Sequence, residues 1–248
     1  MQQDFSSPVW KLSAEIVTLE GRRWSDEITI NTRDYNNTNI PLEAFEDNSS
    51  DTVLHFDDNI SDANDLLPDL TLYGETHFDN SNLDWMQNQS GSALRFYGFG
   101  DEAKTIFSIV PYLEEGKSVA DISQVSVEGI FYFDSLGDSY EHVLQFFYLA
   151  QSWGNGLQLT RYNWTTDIRA DFGKTQNISD EINNALSLHS WHYIQMTRTK
   201  THDILKIDGI ELVNVAHDAV YLFDYRDIIF KFGNFYGWVD EVRFDVAF

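Results

Sequence analysis

The sequence predicts an all-β fold, two antiparallel sheets stacked as a sandwich, with an N-terminal β extension. Three stretches carry the prediction. In residues 191–198, Ile194 and Met196 alternate with Tyr193, Gln195 and Thr197, the period of two that marks a half-buried strand. Asp208-Gly209 stands between two short apolar runs, and both residues tolerate the positive φ that a tight hairpin demands. The closing run, residues 235–244, is rich in bulky and β-branched side chains, with Gly237 letting another backbone come close. Helical spacing is confined to residues 179–186, with Ser179 as N-cap.

Residues 1–50 read as an N-terminal extension or docking arm, and residues 51–248 as the sandwich itself. In the extension, Trp10, Leu12, Ala14 and Ile16 alternate with Lys11, Ser13 and Glu15, which predicts a strand with one buried face. Ile28 and Ile30 suggest a second strand, and residues 36–41 read as turn and linker. These strands either join the sandwich or form an arm that docks on another subunit. Beyond Asp51 comes a long acidic loop, residues 57–69. Strands are expected at Thr71–Tyr73, Ala93–Tyr97, 105–110, 125–133 and 142–150. Gly154-Asn155-Gly156 then marks a turn, and alternation resumes at 157–159.

Several of these stretches also carry a family resemblance. Trp191-His192-x-Ile194-x-Met196-x-Arg198 is followed by Leu205-x-Ile207-Asp208-Gly209, by Phe230-x-Phe232-Gly233, and by Phe235-x-Gly237-x-Val239-Asp240-Glu241-Val242-Arg243-Phe244. Upstream stand Leu54-His55-Phe56-Asp57-Asp58, Gly91-Ser92-Ala93-Leu94-Arg95-Phe96 and Val127-Glu128-Gly129-Ile130-Phe131-Tyr132-Phe133. In this order the motifs resemble the laminin-G-like, concanavalin A-like (lectin/glucanase) jelly-roll domains, over about residues 51–248. The resemblance implies a habit of binding sugars or proteins rather than one function. It also implies a structural Ca2+ bridging the opening and last strands, here through Asp57 or Asp58 together with Asp240. The acidic loop offers the oxygen ligands calcium needs, although it lacks the EF-hand pattern. The alternative is a solvated acidic loop, with Asp240 bonded to backbone.

Sixteen Lys and Arg against forty Asp and Glu give a net charge of −24, which would repel nucleic-acid phosphates. No apolar run is long enough to span a bilayer, so neither nucleic acid nor membrane insertion is expected. Cysteine is absent, so no disulfide supports the fold. Residues 1–5 lack the charged and apolar regions of a secretory signal peptide.

Sugar binding on a sandwich calls for an exposed aromatic ring flanked by amides or carboxylates. Trp153, between Ser152 and Gly154, is the first candidate, because a tryptophan at a glycine-flanked turn is hard to bury. Asn155, Tyr162, Trp164 and Asp167 complete the expected carbohydrate-binding set. Trp191 reads as core, Trp238 as facing either way, and His192 as structural. Enzyme signatures are missing: there is no Glu-x-Asp-x-x-Glu strand, no Arg-x-Glu-x-Arg strand, and no histidine spacing suited to a metal.

The expectation is therefore a non-catalytic binding or structural protein. Its setting is the surface or tail of a phage virion, where it binds host glycan or neighbouring subunits and forms a homo-oligomer. A carbohydrate-binding module of a secreted polysaccharide-degrading enzyme is the alternative.

Overall fold

The computed structural model describes residues 9–17, 23–31, 52–81, 91–135, 144–152, 155–161, 168–172, 175–178, 180–217, 222–223 and 226–248. Its strands form two large antiparallel sheets. The first runs, neighbour by neighbour, β12 (Thr175–Ile178), β11 (Ile168–Phe172), β10 (Asn155–Arg161), β9 (Leu144–Ser152), β16 (Ile228–Gly233), β7 (Glu102–Phe107) and β4 (Thr71–Tyr73). The second runs β15 (Ile210–Ala216), β14 (His202–Ile207), β13 (Trp191–Thr199), β8 (Gln124–Ser135), β17 (Tyr236–Ala247), β6 (Ala93–Tyr97) and β5 (His77–Asp79), with β3 (Thr52–Leu54) paired to β17 as an eighth strand. The expected all-β sandwich is the fold observed. In the extension, β1 (Val9–Val17) and β2 (Arg23–Asn31) pair as a separate two-stranded sheet. The helical segment is one short helix, α1 (Asp180–Ala185).

Local chemistry explains the central hairpin. Asp208 and Gly209 take φ values of 53° and 78°, the double positive-φ turn that fits the twist of β14 and β15. Asp208 also reaches back: its Oδ1 accepts the Tyr193 amide at 2.9 Å and its Oδ2 lies 2.8 Å from His192 Nδ1. His192 Nε2 lies 2.9 Å from the Ser187 carbonyl, so this buried histidine ties the turn to the α1–β13 connection and is structural. One expected strand is shorter than its alternation implied. Residues 105–110 stay in β7 only as far as Phe107, and Val110–Tyr112 form a 3-10 turn. Pro111 has no N–H to give a ladder and presets the turn's φ.

Between the sheets lies a phenylalanine-rich core. Phe230 and Phe232 come from the seven-stranded sheet, and Phe96, Phe131, Phe133 and Phe244 from the eight-stranded one, all essentially inaccessible. Phe232 meets Phe56 and Phe96 edge-on at centroid distances of 5.6 and 6.3 Å. Each such ring contributes about 1.5–3 kcal/mol through burial. Gly237 keeps the closing strand tight against β8, since a Cβ there would stand 1.9 Å from the Tyr132 carbonyl oxygen.

At one end of the sandwich the chain crosses between sheets three times: residues 74–76 after β4, 98–101 after β6 and 234–235 after β16. One buried carboxylate joins two of these crossings. Asp101 Oδ2 accepts the Tyr97 amide at 2.7 Å and Oδ1 accepts the Glu75 amide at 2.8 Å. The Asp101 carbonyl accepts the Asn234 amide at 2.7 Å, and Asn234 Oδ1 accepts the Gly100 amide at 3.0 Å, which brings in the third. Replacing Asp101 by Ala leaves the part-buried Tyr97 and Glu75 N–H groups without their charged acceptor, a cost of about 2–5 kcal/mol. Thermal unfolding of Asp101→Ala is expected to fall by roughly 4–20 °C, and a melt within 2 °C of wild type would show that the crossings hold without it.

Candidate functional site

Of the residues expected to bind sugar, Trp153, Tyr162, Trp164 and Asp167 lie outside the described residues. Asn155 opens β10, at a register irregularity opposite Ser152, and Arg161 closes the strand. The segments holding Trp153 and Tyr162 therefore leave β10 at opposite ends, about 20 Å apart at 3.3 Å per residue. The strand does not by itself bring the five together. The register also fixes which end is which. Gly233 is level with both Glu102 and Gln145, and Leu144 with Arg161, so the chain leaving Arg161 starts from the same end as the 98–101 crossing.

The residues expected at a calcium site lie where β3 leads into the acidic loop beside β17. Asp240 is completely buried. Its Oδ1 accepts the Glu241 amide at 3.0 Å, and its Oδ2 has no hydrogen-bond partner among the described residues. Burial, then the neighbouring Glu241 charge and the Asp57 carboxylate, push its acid well above the usual carboxylate range, against the pull of the Glu241 amide and His55. Asp57 Oδ1 accepts the Ser92 amide at 3.3 Å. Asp58 turns to Ser92, whose hydroxyl donates to it at 2.9 Å. Among the described residues, no three Asp, Glu or His side chains converge as a metal-binding group. The buried Asp240, whose Oδ2 has no partner among the described residues, and the exposed Asp57 and Asp58 are what this corner offers a cation, with Glu241 held by His55. Phe56, Asp58 and Glu241 all take positive φ here, at 58°, 60° and 47°. Such conformations cost energy in non-glycine residues and gather at functional sites.

Further along the acidic loop the carboxylates serve the fold. Asp62 is buried and accepts the amides of Val53, Asn64, Leu66 and Leu67 at 2.7–3.2 Å, so it organises the loop from inside.

On the outer face of the eight-stranded sheet the acids are also engaged. Glu128 accepts the Tyr193 hydroxyl, the Gln195 side-chain amide at 2.7 Å and Arg243 at 3.3 Å. Burial is the main cause, with Glu128 second, of a Tyr193 phenol held far above its ordinary range. On the opposite, core-facing side, level with the Met196–Leu205 pair, Asp203 is fully buried, with Arg198 Nε at 3.2 Å and His217 Nε2 at 3.1 Å. Desolvation outweighs both cations and raises its acid. Trp191 is buried as expected, but it belongs to a second apolar cluster on this outer face with Val53, Ala93, Ile130, Tyr193 and Trp238. Trp238 thus faces outward. Its indole N–H donates to Asp79 Oδ2 at 3.2 Å and the Arg95 guanidinium covers its ring at 3.4 Å.

Exposed aromatic side chains gather beside the Asp101 crossings, where the sequence reading had placed only a strand. Tyr97 and Tyr236 are cross-strand partners, 40% and 42% exposed, and Phe99 in the turn between them and β7 is 58% exposed. The exposed His77 ring stacks on Tyr97 at 5.4 Å, and the Arg95 guanidinium stands 4.9 Å from the same ring. Gly98, with φ of 116°, makes room for them: a Cβ there would strike the Tyr236 ring at 2.6 Å. The alternation of 93–97 located β6, but whether Tyr97 is exposed depends on what crosses above it, which period-two reasoning does not contain.

No protein-family model and no curated protein sequence matches this chain. Solved structures do share its fold. Domain 4 of AbnA, a GH43 extracellular arabinanase from Geobacillus stearothermophilus determined with arabinotriose, superposes with a TM-score of 0.54 at 14% identity, over 78% of this chain and 90% of that one. Botulinum neurotoxin type C, whose cell entry depends on interaction with two ganglioside molecules, gives a TM-score of 0.50 at 10% identity, over 82% of this chain and 49% of that one. A Trypanosoma rangeli sialidase mutant displaying trans-sialidase activity gives 0.51 at 12% identity, over 78% of this chain and 30% of that one. At these identities the likeness establishes the β-sandwich fold that the chain shares with them.

Proposed function

We propose that this chain is a non-catalytic, laminin-G-like glycan-binding sandwich that meets sugar at the ends of its strands. The observation that carries the reading is how the described sheet carboxylates are used. Glu128, Asp134, Asp203 and Glu241 are paired with Arg or His partners, Asp240 and Asp171 are buried, the latter beside Arg169, and Glu211 is exposed on the far edge strand. A glycosidase needs two carboxyl groups facing each other across a cleft, whereas the exposed feature here is aromatic. Likeness of fold to an arabinanase domain determined with arabinotriose and to a ganglioside-dependent toxin supports the same reading. Trp153, Asn155, Tyr162, Trp164 and Asp167 remain the sugar contacts proposed from the sequence.

The proposed setting is the surface or tail of a phage virion, where the chain is one subunit of a larger assembly. Its acidity and its separate N-terminal hairpin support this. A carbohydrate-binding module of a secreted polysaccharide-degrading enzyme is the second reading, favoured by the 90% coverage of the arabinanase domain. Deleting residues 1–50 tests the choice. A soluble, folded sandwich that no longer assembles in light scattering supports the arm and the first setting. A truncated chain that stays folded, monomeric and sugar-binding supports the second.

The binding itself is tested by isothermal calorimetry and a glycan array with the whole chain. Micromolar binding without turnover of the bound sugar is expected. Trp153→Ala should weaken it about thirtyfold, the effect of losing roughly 2 kcal/mol at an aromatic anchor, with little change in melting temperature. Release of reducing ends from any bound oligosaccharide would overturn the non-catalytic reading.

We also propose that Asp240 together with Asp57 or Asp58, completed by backbone carbonyls and water, holds a structural Ca2+. The buried Oδ2 of Asp240, without a partner among the described residues, supports it, because calcium gathers six to eight such oxygens. A hundredfold excess of calcium over its dissociation constant should stabilise the fold by about 2.7 kcal/mol, a melting shift of roughly 5–10 °C. EDTA should reverse this and Asp240→Asn should abolish it.

In chelated protein the order inverts. Because the folded acid of Asp240 is raised above its unfolded value, the unfolded chain releases the proton first, and its contribution to stability declines as pH climbs from about 4 towards the folded value. Asp240→Asn should therefore flatten the fall in melting temperature between pH 5 and 8. An identical pH profile in wild type and mutant would count against an ionising, metal-ready Asp240.

A further inference from the structure

We propose that His77, Tyr97, Phe99 and Tyr236 form a stacking platform for an uncharged pyranose or furanose residue, a glycan subsite separate from the turn that holds Trp153. The proposal rests on the glycan-binding reading above and names a place for it that the sequence motifs did not indicate.

Exposure and rigidity coincide here, which is the first reason. Three rings on neighbouring strand ends and one turn are 40–58% open to water, and the exposed imidazole of His77 extends the surface of Tyr97. A flexible turn would let such rings fold inward over the core edge. This one cannot easily do so, because Asp101 accepts the amides of Tyr97 and Glu75, Asn234 accepts that of Gly100, and the Phe235 carbonyl accepts that of Gly98 at 3.1 Å. Held apart from the core, the rings offer preformed apolar surface, and preformed surface saves the ordering cost of binding.

The second reason is the kind of surface. The exposed aliphatic side chains Ile106, level with Ile229 in the seven-stranded sheet, and Ile210, at the β14–β15 turn, belong to other parts of the molecule. What gathers at this end is aromatic and rimmed by hydrogen-bonding groups, the Arg95–Asp134 pair and Asp79 among them. Sugar rings present C–H faces for stacking and hydroxyls for such a rim, whereas a protein partner, which would also favour aromatics and arginine, needs about 800 Å² per side, more than four half-exposed rings offer.

Charge then selects among sugars. Arg95 is committed to Asp134 at 2.6 Å and to the rings of Trp238 and Tyr97, and Lys231 lies 3.6 Å from Glu102. Glu75, Asp79, Glu102 and Asp134 make this end acidic, on a chain of net charge −24. Recognition of a carboxylated sugar calls for an available guanidinium fork, and in Arg95 one arm, Nη2, is held by Asp134 while the other, Nη1, is buried away from solvent. The ligand is therefore a neutral glycan.

The test uses the whole chain and a fixed panel: arabinotriose, xylopentaose, cellopentaose and lactose as neutral probes, with 3′-sialyllactose and trigalacturonate as anionic ones, read by calorimetry and by saturation-transfer NMR. Phe99→Ala and Tyr97→Ala are each expected to weaken the best neutral probe about tenfold or more, alone and in a Trp153→Ala background. Their melts should stay near wild type, which both exposures favour, and Tyr97→Phe should retain most of the binding. Anionic probes should bind at least tenfold more weakly than lactose or arabinotriose.

Neutral binding that is lost in Trp153→Ala and untouched in the Tyr97→Ala, Phe99→Ala double variant would overturn the platform and leave the glycan reading standing. Preferred binding of sialyllactose would overturn the neutral assignment. If no probe binds the wild type, both readings fall. Should the double variant change only the oligomeric state, the patch is a protein contact and the proposal is wrong.

Discussion

The sandwich depends on one carboxylate. Asp101 sits where the chain has just left the eight-stranded sheet to enter the seven-stranded one, and its two oxygens take amides from two different crossings. Its own carbonyl and the side chain of Asn234 draw in the last crossing before the closing strand. Two stacked sheets have no hydrogen bonds between them, and the phenylalanine core that joins them is non-directional. It resists separation far more than sliding. A buried polar pin at one end supplies the missing direction, fixing how β6, β7, β16 and β17 are staggered and so which rings reach the surface.

Legibility followed the range of the interaction. The Asp208-Gly209 hairpin could be read because the requirement for positive φ belongs to those two residues alone. The structural role of His192 was read correctly as well, although its reason, a bridge from the turn to Ser187, needed the fold. The closing strand was legible from its composition. What failed to show was whatever depends on crossings from elsewhere. Tyr97 and Phe99 look like ordinary strand and turn residues until Gly98 and Tyr236 are seen side by side. Asp62 looked like one more acid in an acidic loop, and only the folded loop shows four amides converging on it. Pro111 was visible in the sequence, and the alternation of the preceding residues masked its effect as a strand terminator.

The outer face of the eight-stranded sheet carries a lesson about acidity. A net charge of −24 is read first as a solvated surface, yet several acids here are buried or paired. Glu128 gathers a phenol, an amide and a guanidinium there, and on the core-facing side of the same sheet Asp203 sits beside an arginine and a histidine. Such arrangements add little net stability against apolar replacements, because desolvation consumes most of the attraction. They do fix geometry, since removing one partner strands the other. Next to a second cluster of Trp191, Tyr193 and Trp238, the Glu128 group turns what would be a bland outer face into a specified one.

The outermost strands have a further consequence. β4 and β5, at one edge of each sheet, are only three residues long, and the opposite edge of the eight-stranded sheet, β15, carries exposed Glu211 and Asn214. An open edge offers unpaired backbone groups on which a foreign strand can grow, the usual route from a β-sandwich to aggregates. At β4 and β5 the three-residue margins give such a strand little template, so copies of this chain crowded together are kept from extending one another's sheets along that side.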